Sequence, residues 1–229
     1  MLWVLLIGLV LAVIYLPGWW VRRVMHRHHQ PENRYPGTGA ELVRHLAERY
    51  GMEALRVEAT TSGGDHYDPV KRVIRLSPEN HDGRSLTAVT VAAHEMGHAI
   101  QHADGMRLFE LRQRLAGMAV HAQRIGLALI MAGPILLLLL RIPAVMFWSM
   151  AAGLGMMLLV TVVHLVTLPV ELDASFGRAL PILERGGYLR EEDRPAARKI
   201  LRAAAWTYVA QSLGALLNLA VWMRILRPV

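Results

Sequence analysis

Long apolar segments, rather than a periodic alternation of apolar and polar residues, dominate the hydrophobic pattern of this chain. Four segments contain no Asp, Glu, Lys or Arg: 1–21, 125–140, 144–168 and 203–223. A helix of about 20 apolar residues crosses the ~30 Å hydrocarbon core of a bilayer. The pattern therefore predicts a leading membrane helix, a helical hairpin that turns at 141–143, and a final helix that either spans the bilayer or packs obliquely.

Arginine residues next to these segments predict their orientation. Arg22, Arg23 and Arg27 follow the first segment, and further arginines precede the hairpin. Since Lys and Arg are enriched on the cytoplasmic side of membrane helices, we expect the N-terminus outside and both ends of the hairpin inside. The first segment lacks the basic start and small-residue cleavage site of a secretory signal, so it is predicted to remain as an anchor.

The polar part of the chain before the hairpin has the patterns of a small α+β unit. Apolar residues at helical spacing predict an amphipathic helix over 39–50, and alternating residues predict strands at 55–60 and 71–77. Residues 66–68 can add a third strand. We expect the strand that ends before residue 78 to lie at the sheet edge, where it either accepts an extended peptide or only covers the next helix.

The segment 85–104 predicts one helix that carries the clearest chemistry in the chain. Ser85 provides its N-cap. His94 and His98 are four residues apart, so their imidazoles project from one face and can bind one Zn²⁺. Glu95 lies beside them as a general base for a water molecule. The alternative, in which the two histidines only cap or pack the helix, does not explain why a glutamate lies between them.

A catalytic zinc site usually has three protein ligands and one open position. Glu171 and Asp173 follow the hairpin, so they return to the same side of the membrane as His94 and His98. Two carboxylates at this spacing cannot both point at one ion, so one is the ligand and the other orients a histidine. The spacing favours neither. His102, one turn after His98, is expected to be exposed or to support the site.

Composition and charge narrow the possible function classes. Hydrophobic residues make up 54% of the chain and charged residues 19%, which is typical of a membrane protein. The net charge of +7 comes from arginines beside apolar segments, so we assign it to lipid headgroups and not to nucleic acid. The absence of cysteine excludes disulfides and thiolate ligands. The expected partners are the lipid bilayer and a peptide or membrane-protein substrate, and no feature selects an oligomeric state.

Together these patterns predict a mainly α membrane protein with three or four transmembrane helices. A small α+β, zincin-like subdomain with a short sheet and the His-Glu-x-x-His helix is expected on the cytoplasmic side. The predicted order is signal-anchor helix, cytoplasmic subdomain, transmembrane hairpin, ligand-bearing and connecting helices, and C-terminal apolar helix. Their bounds are 1–21, 22–124, 125–168, 169–202 and 203–229.

Several motifs resemble the YugP-type neutral zinc metallopeptidases of bacterial membranes. They are His-Tyr-Asp-Pro at 66–69, Val-Ala-Ala-His-Glu-Met-Gly-His-Ala-Ile-Gln at 91–101 and Leu-Pro-Val-Glu-Leu-Asp-Ala-Ser at 168–175. The resemblance implies a compact relative of the gluzincins in the bacterial inner membrane, with one Zn²⁺ on His94, His98 and Glu171. Larger membrane gluzincins have an aspartate where this chain has Ser175. That departure leaves Asp173 as the acid that supports a histidine, or as an alternative ligand.

The predicted activity is hydrolysis of peptide bonds by a membrane-anchored zinc endopeptidase whose site faces the cytoplasm. Glu95 takes a proton from the attacking water and returns it to the leaving amine. Arg178, Tyr208 and His66 are candidates for stabilising transition-state charge, although each also suits a structural role.

Two alternatives remain open at this point. One is an intramembrane protease of the site-2 type, for which the eight apolar residues at 86–93 give too little helix before the motif. The other is a zinc-stabilised membrane scaffold or chaperone-like binder without peptidase activity. An open coordination position favours a protease over a scaffold.

Overall fold

A computed structural model describes residues 2–61 and 64–206, without the side chains of 2–7, 9–11, 13 and 14. The described residues fall into two compact units, 15–109 with 169–206 and 2–14 with 110–168. Helix α1, Leu2–Arg27, includes the predicted anchor and continues through the arginines that follow it. The described residues are mainly helical and form one small sheet.

Helix α2, Gly39–Arg49, begins at a capping box in the unit that contains residues 15–109. The Thr38 hydroxyl accepts a hydrogen bond from the Glu41 amide (3.1 Å), and the Glu41 carboxylate accepts one from the Thr38 amide (2.8 Å). These bonds satisfy amides that have no partner within the helix. The apolar face then buries Leu42, Val43 and Leu46, as the helical spacing predicts.

The sheet has three strands, β1 (Arg56–Ala59), β2 (His66–Asp68) and β3 (Val73–Leu76), in the order β1-β3-β2. Strand β3 pairs in parallel with β1 and antiparallel with β2. The expectation that the strand before residue 78 lies at the edge is wrong. Strand β3 is central because its side chains at Val73, Ile74 and Leu76 are fully buried, and the sheet edges are β1 and β2.

Helix α4, Leu86–Ala103, follows the short helix α3, Pro78–His81, and forms the centre of this unit. The Ser85 hydroxyl accepts a hydrogen bond from the Ala88 amide (3.1 Å), which confirms the predicted N-cap. Nearly every α4 side chain is buried, including both histidines of the motif. Because it is enclosed on all faces, α4 holds its polar side chains in fixed positions.

Four further elements complete the same unit. A π-helical segment, Asp173–Ala179, leads into α7, Leu180–Arg185, and a 3₁₀ turn, Glu191–Asp193, precedes a helix α8 that covers 194–206. The π-helical segment packs closely on α4. A Cβ atom added at Gly97 would lie 2.7 Å from the Ala174 carbonyl oxygen, so only glycine permits this approach.

The other unit contains most of α5, Arg107–Leu140, and α6, Pro143–Leu172. In the described part of the chain, two helices are long and apolar enough to cross a membrane, Arg107–Leu140 and Pro143–Arg185. Glycines let α5 and α6 approach, since a Cβ at Gly153 would lie 2.7 Å from the Gly126 carbonyl oxygen. Residues 207–229, with most of the predicted final apolar helix, lie outside the described residues.

Candidate metal centre

Three buried side chains converge in the unit that contains α4. His94 Nε2 lies 3.3 Å and His98 Nε2 lies 3.5 Å from the same carboxylate oxygen, Oε2 of Glu171. One ligand atom from each residue lies within 4.8 Å of the others. The carboxylate of Glu171 is inaccessible to solvent, and the two histidines are 8% and 5% exposed. Among the described residues, this is the group of His, Asp and Glu side chains that could hold a metal ion.

The two elements that supply these ligands explain their spacing. On α4, one helical turn places the His94 and His98 rings with centroids 4.8 Å apart. Glu171 lies at the end of α6, just before the π-helical segment. The close approach of that segment at Gly97, inside the motif, brings Glu171 to both histidines.

A glutamine fixes the orientation of the second histidine. Gln101 is fully buried, and its Oε1 accepts a hydrogen bond from His98 Nδ1 (2.9 Å). Its Nε2 donates to the Val170 carbonyl oxygen (2.8 Å) and to Oδ2 of Asp173 (2.9 Å). Since Nδ1 carries the proton in this arrangement, Nε2 of His98 has its lone pair directed at the cluster.

The first histidine is oriented by a hydroxyl group. Ser175 Oγ lies 3.1 Å from His94 Nδ1 and accepts a hydrogen bond from it in the tautomer that leaves Nε2 for a ligand. Ser175 is fully buried in the π-helical segment. A neutral side chain therefore makes this contact with His94.

Asp173 is not one of the clustered ligand residues and instead takes part in a chain of hydrogen bonds. Its Oδ2 accepts from Gln101 and from Nε of Arg178 (2.8 Å), and Arg178 Nη1 donates to Asp104 (2.5 Å). Burial alone would raise the pKa of the Asp173 carboxyl, but these hydrogen bonds outweigh it and hold that pKa below its usual range. The carboxylate therefore stays ionised and supports the glutamine that contacts His98.

The remaining predicted site residues lie in different surroundings. Glu95 is buried on α4 beside the cluster. Arg178 is held by two carboxylates, and His66 on β2 contacts the Gly64 carbonyl oxygen (2.9 Å) and Arg75 (3.4 Å). Tyr208 lies outside the described residues.

An aromatic group lies next to the second histidine. The Phe109 ring centroid is 6.1 Å from His98 and 5.7 Å from His102, and His102 Nδ1 is within hydrogen-bond distance of the Tyr67 hydroxyl (2.8 Å). His102 thus contacts β2 and is absent from the cluster of possible ligands. Phe109 was not among the residues named from the sequence. Gln101, Tyr67 and Ser175 lie in the motifs at 91–101, 66–69 and 168–175, but the motifs do not show their contacts with the histidines.

The donor set fits zinc. Two imidazole nitrogens and one carboxylate oxygen are the ligands of many catalytic zinc sites, and such sites leave a further position open. Both Nδ1 atoms are engaged by Ser175 and Gln101, so both Nε2 atoms are oriented toward one point beside Glu171. The residues present can therefore hold the ion without a change of tautomer.

Comparisons with known proteins identify the family of this chain. No solved structure matches the chain significantly. The chain is 34% identical over 227 residues to the "Putative membrane protease YugP" of Bacillus subtilis (strain 168), with 96% of each protein covered. Residues 3–227 match the family described as "Putative neutral zinc metallopeptidase". A match over nearly the full length shows that the chain belongs to this neutral zinc metallopeptidase family.

Proposed function

We propose that this chain is a membrane-anchored zinc endopeptidase that hydrolyses peptide bonds at the cytoplasmic surface of the bacterial inner membrane. The observation that carries the proposal is the buried convergence of His94, His98 and Glu171 next to Glu95. Family membership and a relative named as a membrane protease support it. One zinc ion per chain is proposed to bind the two Nε2 atoms and the Glu171 carboxylate.

The protein's own groups have separate tasks in this reaction. When bound, the ion supplies a Lewis acid that polarises the peptide carbonyl group and acidifies water. Glu95 takes the proton of the attacking water and transfers it to the nitrogen of the leaving amine. Gln101 and Ser175 hold the two imidazoles in one tautomer, and the buried site limits access of bulk water.

The substrate is proposed to bind as an extended peptide along β2. This strand lies at an edge of the sheet, so one side of its backbone can pair with an added strand. Tyr67 on β2 contacts His102, which is one turn from His98 on α4. A peptide at this edge would therefore run beside the helix that carries the site.

The test is a paired measurement on the full chain in detergent. Glu95→Gln should retain the zinc content of the parent protein and lose cleavage of an unfolded protein substrate by about 10²- to 10⁴-fold, because only proton transfer is removed. Glu53→Gln, at an exposed position, is the matched control and should cleave like the parent. Equal cleavage by Glu95→Gln would overturn the assigned base.

Two other results would favour the alternatives. A parent protein that holds zinc but cleaves nothing would favour a zinc-stabilised scaffold, and a parent protein that holds no metal would overturn the site itself. The site-2 type of intramembrane protease is less well supported, because α4 is not one of the described helices that could cross a membrane.

A further inference from the structure

His102 is a partly exposed histidine beside the proposed zinc site that the ligand cluster does not include. It lies one turn after His98 on α4, so the two imidazoles project from nearly the same side of the helix. His94 and His98 are almost fully buried, whereas His102 remains partly accessible to solvent. A molecule bound near the site can therefore reach His102.

Two aromatic side chains hold the His102 ring in place. Phe109, which is 1% exposed, stacks on this ring with the centroids 5.7 Å apart and the planes 29° apart. The centroid of the same phenyl ring lies 6.4 Å from that of Tyr67 and 6.1 Å from that of His98. The orientation of His102 is therefore fixed by packing before a ligand binds, which lowers the entropy cost of binding.

The Tyr67 hydroxyl contacts one nitrogen of His102 and leaves the other available. It lies 2.8 Å from Nδ1, which is its hydrogen-bond partner in the described part of the chain. A partly buried hydroxyl group needs an acceptor for its proton, and burial raises the pKa of Tyr67, so the proton is retained. When Nδ1 accepts this hydrogen bond, neutral His102 carries its own proton on Nε2. Among the residues that the structure describes, Nε2 of His102 has no hydrogen-bond partner.

Strand β2 directs Tyr67 and its two neighbours to opposite faces of the sheet. Tyr67 contacts α4 through His102. His66 and Asp68 contact Arg75 instead, at 3.4 Å and 3.0 Å. Because side chains alternate along a strand, the middle residue of β2 is the one that faces α4. A strand added at this edge lies about 4.8 Å from β2, and so next to the imidazole that Tyr67 contacts.

We propose that His102 is a substrate-binding residue whose Nε2–H donates a hydrogen bond to a backbone carbonyl oxygen of the bound peptide. This inference rests on the proposed function, in particular on the path of the peptide along β2. One helical turn, about 6 Å along α4, separates His98 from His102. An extended peptide covers that distance in about two residues, so the contact lies about two residues from the scissile bond. Since every residue has a backbone carbonyl group, the contact favours unfolded chains without selecting their sequence.

The test measures binding separately from cleavage, in the zinc-loaded full chain in detergent with dye-labelled casein as an unfolded probe. A Glu95→Gln background keeps the probe intact, and fluorescence anisotropy gives its affinity. His102→Phe retains a ring that can stack on Phe109 and removes both nitrogens, whereas His102→Gln retains a donor near the position of Nε2. His121→Phe, at an exposed position on α5, is the matched control. Zinc content and melting temperature check that all variants fold.

We expect His102→Phe to bind the probe about five- to tenfold more weakly, which is the effect of one hydrogen bond. His102→Gln and the control should bind it like the Glu95→Gln background. In the active protein, His102→Phe should raise KM by a similar factor and change kcat by less than about twofold, because the contact is made to the substrate and not only to the transition state.

Equal affinity of His102→Phe and the control would overturn the contact. Equal weakening by His102→Phe and His102→Gln would also overturn it, because packing would then explain the loss. Probe binding that depends on His102, without cleavage by the parent protein, would overturn the peptidase and support this contact. Cleavage by the parent protein, with no loss of affinity in His102→Phe, would do the reverse.

Discussion

The Ser175 hydroxyl lies 3.1 Å from Nδ1 of His94, although 81 residues separate the two in the chain. The contact joins the π-helical segment to the helix that carries the proposed zinc ligands. When Nδ1 of His94 carries the proton, the hydroxyl accepts a hydrogen bond from it and Nε2 is available to an ion. A hydroxyl group performs this task without adding a second negative charge beside Glu171.

Ser175→Ala should weaken zinc binding by about tenfold, because the Nδ1–H of His94 loses its buried acceptor. Competition against a zinc-chelating dye measures the affinity. Ser149→Ala is the matched control, since Ser149 donates to the Leu129 carbonyl oxygen in the other unit. Unchanged zinc affinity in Ser175→Ala would show that the hydroxyl does not orient the ligand.

Two variants of Gln101 should distinguish its role in orienting His98 from its role in packing. Gln101→Met removes all three hydrogen bonds of the side chain and is expected to lower zinc affinity by about 10- to 100-fold. Gln101→Glu keeps an acceptor for His98 but loses the donor to Val170 and Asp173, so it should lower the melting temperature more than the zinc affinity. The role in orientation fails if both variants bind zinc like the parent.

The two carboxylates after the hairpin should behave differently toward the ion. Glu171→Gln is expected to lose bound zinc, because the amide is a weaker ligand than the carboxylate that lies next to both histidines. Asp173→Asn should retain one zinc per chain with reduced affinity, since Asp173 acts through Gln101. Metal analysis of the purified variants measures both, and the reverse pattern would make Asp173 the ligand.

The part of the site that the sequence predicts lies within one helix. The helical repeat fixes the positions of His94, Glu95 and His98 relative to one another, so their spacing in the sequence is sufficient to predict this part of the site. The choice of Glu171 over Asp173 as the ligand needed the family resemblance. Both residues follow the predicted hairpin and are only two positions apart, so the sequence pattern does not distinguish them. The contact of Ser175 with His94 depends on how closely a distant segment approaches α4, which no local pattern shows.

The order of strands in the sheet likewise depends on contacts between distant parts of the chain, which local sequence patterns do not show. The strand segments at 55–60 and 71–77 were identifiable from alternation, but the parallel pairing of β1 with β3 joins residues that are not neighbours in the chain. Strand β2 occupies the edge that local reasoning assigned to β3. Non-local strand order is set by burial of both faces of β3, which a two-residue period does not encode.

Asp193 should make stability depend on pH in acid solution. Its buried carboxylate accepts from Nε and Nη2 of Arg34 (2.6 Å each) and from the Tyr35 hydroxyl (2.6 Å). Burial would raise the pKa of Asp193, but these hydrogen bonds outweigh it and lower that pKa below its usual range. The stabilisation is therefore present above about pH 4 and is lost as the pH falls further.

Asp193→Asn tests this contribution. At neutral pH it should lower the free energy of unfolding by about 2 kcal/mol, and the difference from the parent should shrink as the pH falls below about 4. Glu192→Gln is the control, because its contact with Arg34 (2.9 Å) is largely exposed and should contribute less than about 1 kcal/mol. Thermal unfolding of both variants across this pH range shows whether the loss of stability in acid comes from the buried Asp193 ion pair or from protonation of carboxylates elsewhere in the protein.

Membrane orientation can be tested directly because the chain contains no cysteine. Ile142→Cys introduces a thiol at an exposed position between α5 and α6, and Glu53→Cys introduces one at an exposed position before β1. The arginine distribution predicts that a membrane-impermeant maleimide labels Ile142→Cys in intact cells and labels Glu53→Cys only after permeabilisation. The cysteine-free parent gives the background. Labelling of Glu53→Cys in intact cells would reverse the orientation and place the proposed zinc site outside the cytoplasm.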